Sequence, residues 1–160
     1  RDLPIIAEDL GMVDEPVYRL VDDTGFPGMK VLQFAFDGDG DNLHLPHKHP
    51  ERSVVYTGTH DNDTLLGWWF SCGEVVHDRV RRYLSSACYD AVQELVATAF
   101  RSAARTAIIP MQDVLALDST ARMNTPSVGS GNWAWRMPAS GMRTVDAQRL
   151  SNLARETGRL

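Results

Sequence analysis

Two acidic residues in this chain each follow a short apolar run. Glu8 comes directly after Pro4-Ile5-Ile6-Ala7, and Asp61, with His60 beside it, follows Val54-Val55-Tyr56-Thr57. Two carboxyl groups presented to one ligand are what glycoside chemistry requires. One protonates the leaving oxygen; the other attacks the anomeric carbon or stabilises its oxocarbenium-like charge. His60 can donate a hydrogen bond to a sugar hydroxyl. Trp68, Trp69, Trp133 and Trp135 offer flat apolar faces to sugar rings, and the same faces serve equally well in a core. Acids at strand ends also bind metals or cap helices, so the pair alone leaves those readings open. Asn62 and Asp63 read as caps of the helix that follows.

Two other clusters carry metal-like spacing. Asp37-x-Asp39-x-Asp41-Asn42 begins like a calcium loop, but its sixth position is Asn42 in place of Gly and its twelfth is Lys48 in place of a bidentate Glu. A solvated turn is the better reading. His44, His47 and His49 have no cysteine or helical pairing to complete a zinc site, and Pro46 and Pro50 mark the segment as loop. No metal site is expected.

These residues need elements to position them. Apolar runs at 4–7, 30–36, 53–57 and 107–110 read as strands, and the first three end in acids. Between and after them lie helical patterns: one capped by Asp14 and stopped by Gly25, a short one over 65–70, two over 74–84 and 89–104, and a terminal one from about Thr144, a candidate N-cap. Strands separated by helices imply an α/β fold with a mostly parallel sheet. Polar residues at C-terminal strand ends are how α/β barrels build active sites. Four such strands amount to the C-terminal half of a (β/α)8 (TIM) barrel, whose full form takes ~250 residues. The chain opens with Arg1 and reaches a strand pattern almost at once, so a fragment or processed piece is expected.

Composition sets outer limits. The 160 residues are 43% hydrophobic and 23% charged, ordinary for a soluble globular domain. A net charge of -5 gives no electrostatic footprint for nucleic acid. There is no apolar run of the ~18 residues that suggest a membrane span, and no signal-peptide pattern. Cys72 and Cys88 are too few for a disulfide scaffold; free thiols in a reducing, cytoplasmic setting are expected.

Several longer runs are more specific. IIAEDLG (5–11), GFPGMKVLQFAFD (25–37), VVYTGTHDNDTLLGWW (54–69), PMQDVL (110–115) and ARMNTPSVGSGNWAWR (121–136) occur in order over most of residues 3–136. In these runs the chain resembles the C-terminal third of the amylomaltases, the 4-α-glucanotransferases also called disproportionating enzymes. The resemblance implies an α-amylase-type barrel, with residues 1–160 supplying strands 5 to 8 and the C-terminal helix and the N-terminal half absent. It implies that Glu8 is the general acid/base, that Asp61 stabilises the transition state, that His60 binds sugar and that Asn124 lines the donor site. The family's nucleophilic Asp would lie N-terminal to Arg1. The reaction implied is retaining transfer of an α-1,4-glucan segment from a malto-oligosaccharide or α-glucan donor to glucose or a maltodextrin acceptor, with no metal or cofactor. The piece alone is then expected to be inactive. A non-catalytic glycan-binding fragment and an α-glucan hydrolase of the same clan are the competing readings.

Overall fold

The computed structural model describes residues 4–38, 40–139, 141 and 144–160, with the side chains of Thr144 and Val145 outside the description. β1 (Gly28–Val31), β2 (Ser53–Tyr56) and β3 (Thr106–Ile108) form a three-stranded parallel sheet in that order. Val31 pairs with Tyr56, and Tyr56 with Ile108, so all three strands finish at one edge. β1 and β2 are buried almost throughout, as strands covered on both faces must be. β3 is more open, with Ile108 40% exposed.

Two strand expectations are corrected. Residues 4–10 run beside β1 without forming a ladder. The Ala7 amide donates to the Pro27 carbonyl at 2.9 Å, but Pro27 has no N–H to return a bond. The Met29 amide is taken by the Asp9 carboxylate at 2.6 Å, so a side chain replaces the next rung. The run over 30–36 is a strand only as far as Val31. Leu32–Phe34 turn into a 3-10 helix, with Leu32 and Gln33 buried. An apolar run without alternation does not distinguish the two conformations. Asn42 Nδ2 donates to the Phe34 carbonyl at 2.6 Å and fixes the turn.

The helices follow the sequence more closely. α1 (Glu15–Thr24) is capped by Asp14 and ends at Gly25, whose φ of 70° suits a residue without a Cβ. Its apolar stripe stays open, with Val17 39% and Leu20 61% exposed. α2 (Leu65–Ser71) is capped by Thr64, whose Oγ1 accepts from the Gly67 amide at 3.1 Å. Asn62 and Asp63 are therefore not its caps. The Asn62 side chain instead accepts from the Thr59 amide and hydroxyl, and Asp63 accepts from the Thr64 amide. α3 (Glu74–Leu84) matches its expected bounds, and α4 (Ala91–Arg101), capped by Asp90, stops three residues short of them. α5 (Met111–Val114) is a single turn after β3. α6 (Thr144–Glu156) begins at Thr144 itself; the expected Thr144 side-chain cap falls outside the described residues.

α4 organises the core. Val92, Leu95 and Val96 pack with Leu65, Val80, Ala35 and Phe36, while Ala99 meets Leu32 of the 3-10 turn and Val55 of β2. Each such large side chain contributes roughly 1.5–3 kcal/mol by leaving water. Trp68 and Trp69 belong to this core, and the Trp69 ring lies 4.1 Å from that of His77.

Candidate active site

The shared C-terminal edge of the sheet carries the polar residues. The β2 chain continues through Thr57 into the loop 58–64, which bears His60 and Asp61, and returns at α2. Glu8 approaches from the extended segment beside β1; its carboxylate accepts from the Leu10 amide at 2.7 Å. Glu8, His60 and Asp61 line one open cleft of about 840 Å³, together with Tyr56, Ile108 and Arg122. The structure thus brings both sequence-nominated carboxylates to one cavity, each accessible to a ligand.

Asn124 joins them from the segment after α5. Its Nδ2 donates to Asp61 Oδ1 at 2.5 Å, and its amide donates to the His60 carbonyl at 3.1 Å. His60 Nε2 lies 3.4 Å from Asp61 Oδ1. On the other side the His60 ring stands 5.0 Å from that of Trp133. Trp133 is 54% exposed, and its amide donates to the Met123 carbonyl at 2.7 Å. Trp68 and Trp69 pack against the core instead.

Arg122 was not singled out by sequence, yet it ties the two loops together. Nη2 donates to the Asp61 carbonyl at 2.7 Å, and Nε to the Asn124 carbonyl at 2.8 Å. Gln33 supports the loop from below, with Nε2 donating to the Asp63 carbonyl at 2.8 Å. A Cβ on Gly58 would stand 2.6 Å from that same nitrogen, so glycine is needed there for close approach. Asp113 accepts from the Thr57 hydroxyl and from the Leu65 amide. Its burial pushes its pKa from 3.8 up to about 6, against the lowering effect of both donors.

The histidine loop holds its imidazoles apart. His44 Nδ1 accepts from the Val31 amide at 3.1 Å, and burial lowers its pKa to about 4. His49 Nε2 donates to the His44 carbonyl, and His47 stacks on Tyr83. Asp41 pairs with Lys48, while Asp39 lies outside the described residues. Among the described residues no group of three His, Cys, Asp or Glu side chains is arranged to hold a metal ion.

Comparison with known proteins decides the family. The family model described as 4-alpha-glucanotransferase matches residues 1–142. The chain belongs to the 4-α-glucanotransferase family. The chloroplastic/amyloplastic 4-α-glucanotransferase of Arabidopsis thaliana is 49% identical over 99% of this chain and 28% of its own length. The 4-α-glucanotransferase of Thermus thermophilus is 46% identical over 99% of this chain and 33% of its own length. Among solved structures, the amylomaltase from Streptococcus agalactiae in complex with acarbose superposes with a TM-score of 0.93 at 34% identity, over 98% of this chain and 32% of that one. The chain therefore spans about a third or less of the 4-α-glucanotransferases it matches.

Proposed function

We propose that this chain is the C-terminal half of a catalytic (β/α)8 barrel of a 4-α-glucanotransferase, with the extended segment 4–10 standing in the place of strand 5, β1 to β3 as strands 6 to 8, and the C-terminal helix. The observation that carries the reading is that Glu8, His60 and Asp61 line one cleft, in a chain of this family. The exposed apolar groups on both flanks of the sheet, Ile5 and Ile6 on one and Ile108 on the other, support a further half of the barrel packing there.

In this reading a donor α-1,4-glucan lies in the cleft. Glu8 gives its proton to the glycosidic oxygen as a nucleophilic carboxylate, supplied from outside residues 1–160, takes the anomeric carbon. The shortened glucan leaves with the proton, and a glucosyl-enzyme ester remains. Glu8, now ionised, removes the proton of an acceptor 4-hydroxyl, which attacks the ester and restores both carboxyl groups with retention at the anomeric centre. Asp61, held by Asn124, faces the oxocarbenium-like charge that develops on the sugar in the transition state of each step, and His60 donates to a ring hydroxyl. Sugar rather than water as the second nucleophile makes the reaction transfer. Glucose and maltodextrins are the acceptors assigned, and no cofactor takes part.

The residues 1–160 alone are inactive in this reading, because the nucleophile lies elsewhere. We assign the protein to the cytoplasm, a reducing setting that suits the free thiols Cys72 and Cys88. The plant relatives carry chloroplastic/amyloplastic in their names, so fractionation of the source cell decides the compartment. The activity is tested by incubating the full-length protein with maltotriose. A ladder of longer maltodextrins with released glucose is the expected product. Products no longer than maltotriose would make it a hydrolase, and binding without turnover would make it a glycan-binding protein.

A further inference from the structure

Asp113 is used by no step above, yet it is 1% exposed and carries a carboxylate beneath the site. Its two oxygens serve two separate points of the chain. Oδ2 accepts from the Thr57 hydroxyl at 2.5 Å, and Oδ1 accepts from the Leu65 amide at 2.7 Å. Thr57 is the last residue before the loop that bears His60 and Asp61, and Leu65 is the first helical residue after it. One carboxylate therefore holds both ends of that loop.

The same turn also anchors the opposing segment. Asp113 sits in α5, its amide donating to the Pro110 carbonyl at 2.9 Å. The neighbouring Gln112 donates through Nε2 to the Ala121 carbonyl at 3.2 Å, one residue before Arg122. Arg122 and Asn124 then grip Asp61 and His60 from above. A recess of about 170 Å³ lies between the loop and α5, lined by Asp63, Asp113, Arg122 and Trp133 among others. A loop released at its ends has room there to shift.

We infer that Asp113 is a positioning residue that clasps the two ends of the 58–64 loop and so fixes where Asp61 meets the substrate. The inference rests on the transferase reading of the cleft. A neutral side chain would occupy this site at lower cost, since burial and the nearby charge of Asp63 both oppose ionisation. A carboxylate has the advantage of two acceptor oxygens with no donor of its own, which fits a hydroxyl and an amide converging from two elements. Loop geometry is thus set against stability at this residue.

The test uses the full-length protein with Asp113→Asn and, separately, Thr57→Val, each assayed for glucose release from maltotriose alongside unfolding midpoints. Asn keeps the shape and one acceptor but adds a donor; Val keeps the shape of Thr57 and removes its hydroxyl. The expected result is a fall in kcat of about tenfold or more in both variants, with KM for maltotriose changed by less than about threefold and an Asp113→Asn midpoint at pH 8 no lower than wild type. A residue needed only for folding would lower the midpoint and leave kcat per folded molecule intact, and that result overturns the inference. If Asp113→Asn fails to fold, Thr57→Val decides by the same readouts. Wild-type protein without transfer activity would overturn the functional reading and this inference together; active wild type with undiminished kcat in a folded variant would overturn this inference alone.

Discussion

Asn124 Nδ2 donates to Asp61 Oδ1 at 2.5 Å, joining two residues that lie 63 positions apart. Asp61 is half exposed, so without this bond its carboxylate would sample several rotamers over the cleft. Asn124 fixes one. Replacing it with Ala in the full-length protein should lower transfer by roughly tenfold to a hundredfold, since small misplacements of reacting groups cost that much. Steady-state kinetics on maltotriose check this. A kcat within twofold of wild type would mean that the pair is incidental.

Gly67 offers a second test of how the loop is seated. A Cβ there would collide with Ser119 Oγ and stand 2.8 Å from both carboxylate oxygens of Asp63. Ser119 donates to Asp63 at 2.7 Å, so the added methyl breaks into that bond. Gly67→Ala should destabilise the fold by roughly 1–3 kcal/mol, as overpacking does, despite the better helix propensity of Ala. Chemical denaturation measures the difference; a stabilised variant would contradict this packing.

Acid and base pull stability in opposite directions at two groups, the buried Asp113 and the half-buried His44. The pKa of Asp113 is raised from 3.8 to about 6, so its stabilising effect is complete below 3.8 and is lost as pH rises through 6. The pKa of His44 is lowered from 6.5 to about 4, so its effect is complete above 6.5 and is lost as pH falls through 4. The two offset each other across the interval between. Asp113→Asn should remove one side of the balance. The variant should gain on wild type by up to roughly 3 kcal/mol at pH 8, and the gain should vanish near pH 4. Thermal unfolding from pH 4 to 8 measures it; a difference independent of pH would contradict the assignment.

The polar ends of strands were the legible part of this chain. β2 with Asp61 beyond its end, α1 and α3 follow from apolar runs, caps and acids that sequence displays directly; Glu8 shares the cleft of Asp61 although the run before it is not a strand. The loss of the first ladder was hidden because it depends on Pro27 lacking a donor and on Asp9 taking the Met29 amide, a contact across elements. The 3-10 turn at Leu32 was hidden because a mostly apolar, mostly buried run without alternation has no period to read. Thr64 was overlooked as a cap because Asn62 and Asp63 beside it are of equally good type; only the hydrogen bonds separate them. Asp113 lies in PMQDVL and Arg122 in ARMNTPSVGSGNWAWR, where residue type and spacing give neither a role. The partners that matter, the Asp61 carbonyl, the Thr57 hydroxyl and the Leu65 amide, lie far along the chain, which composition and spacing do not reveal. Trp133 is of the same residue type as Trp68 and Trp69, and only the structure shows that it is exposed against His60 while they pack against the core.

The central claim is that Glu8 is the acid that releases the donor glucan and the base that admits the acceptor. It is tested most directly by Glu8→Gln in the full-length protein, comparing maltotriose disproportionation with malto-oligosaccharide binding by calorimetry. Gln keeps the shape and loses the transferable proton. Transfer should fall by about a hundredfold to ten-thousandfold, the usual worth of a positioned acid or base, while the dissociation constant stays within a few-fold of wild type. A variant that still disproportionates maltotriose at near wild-type rate would contradict the assignment.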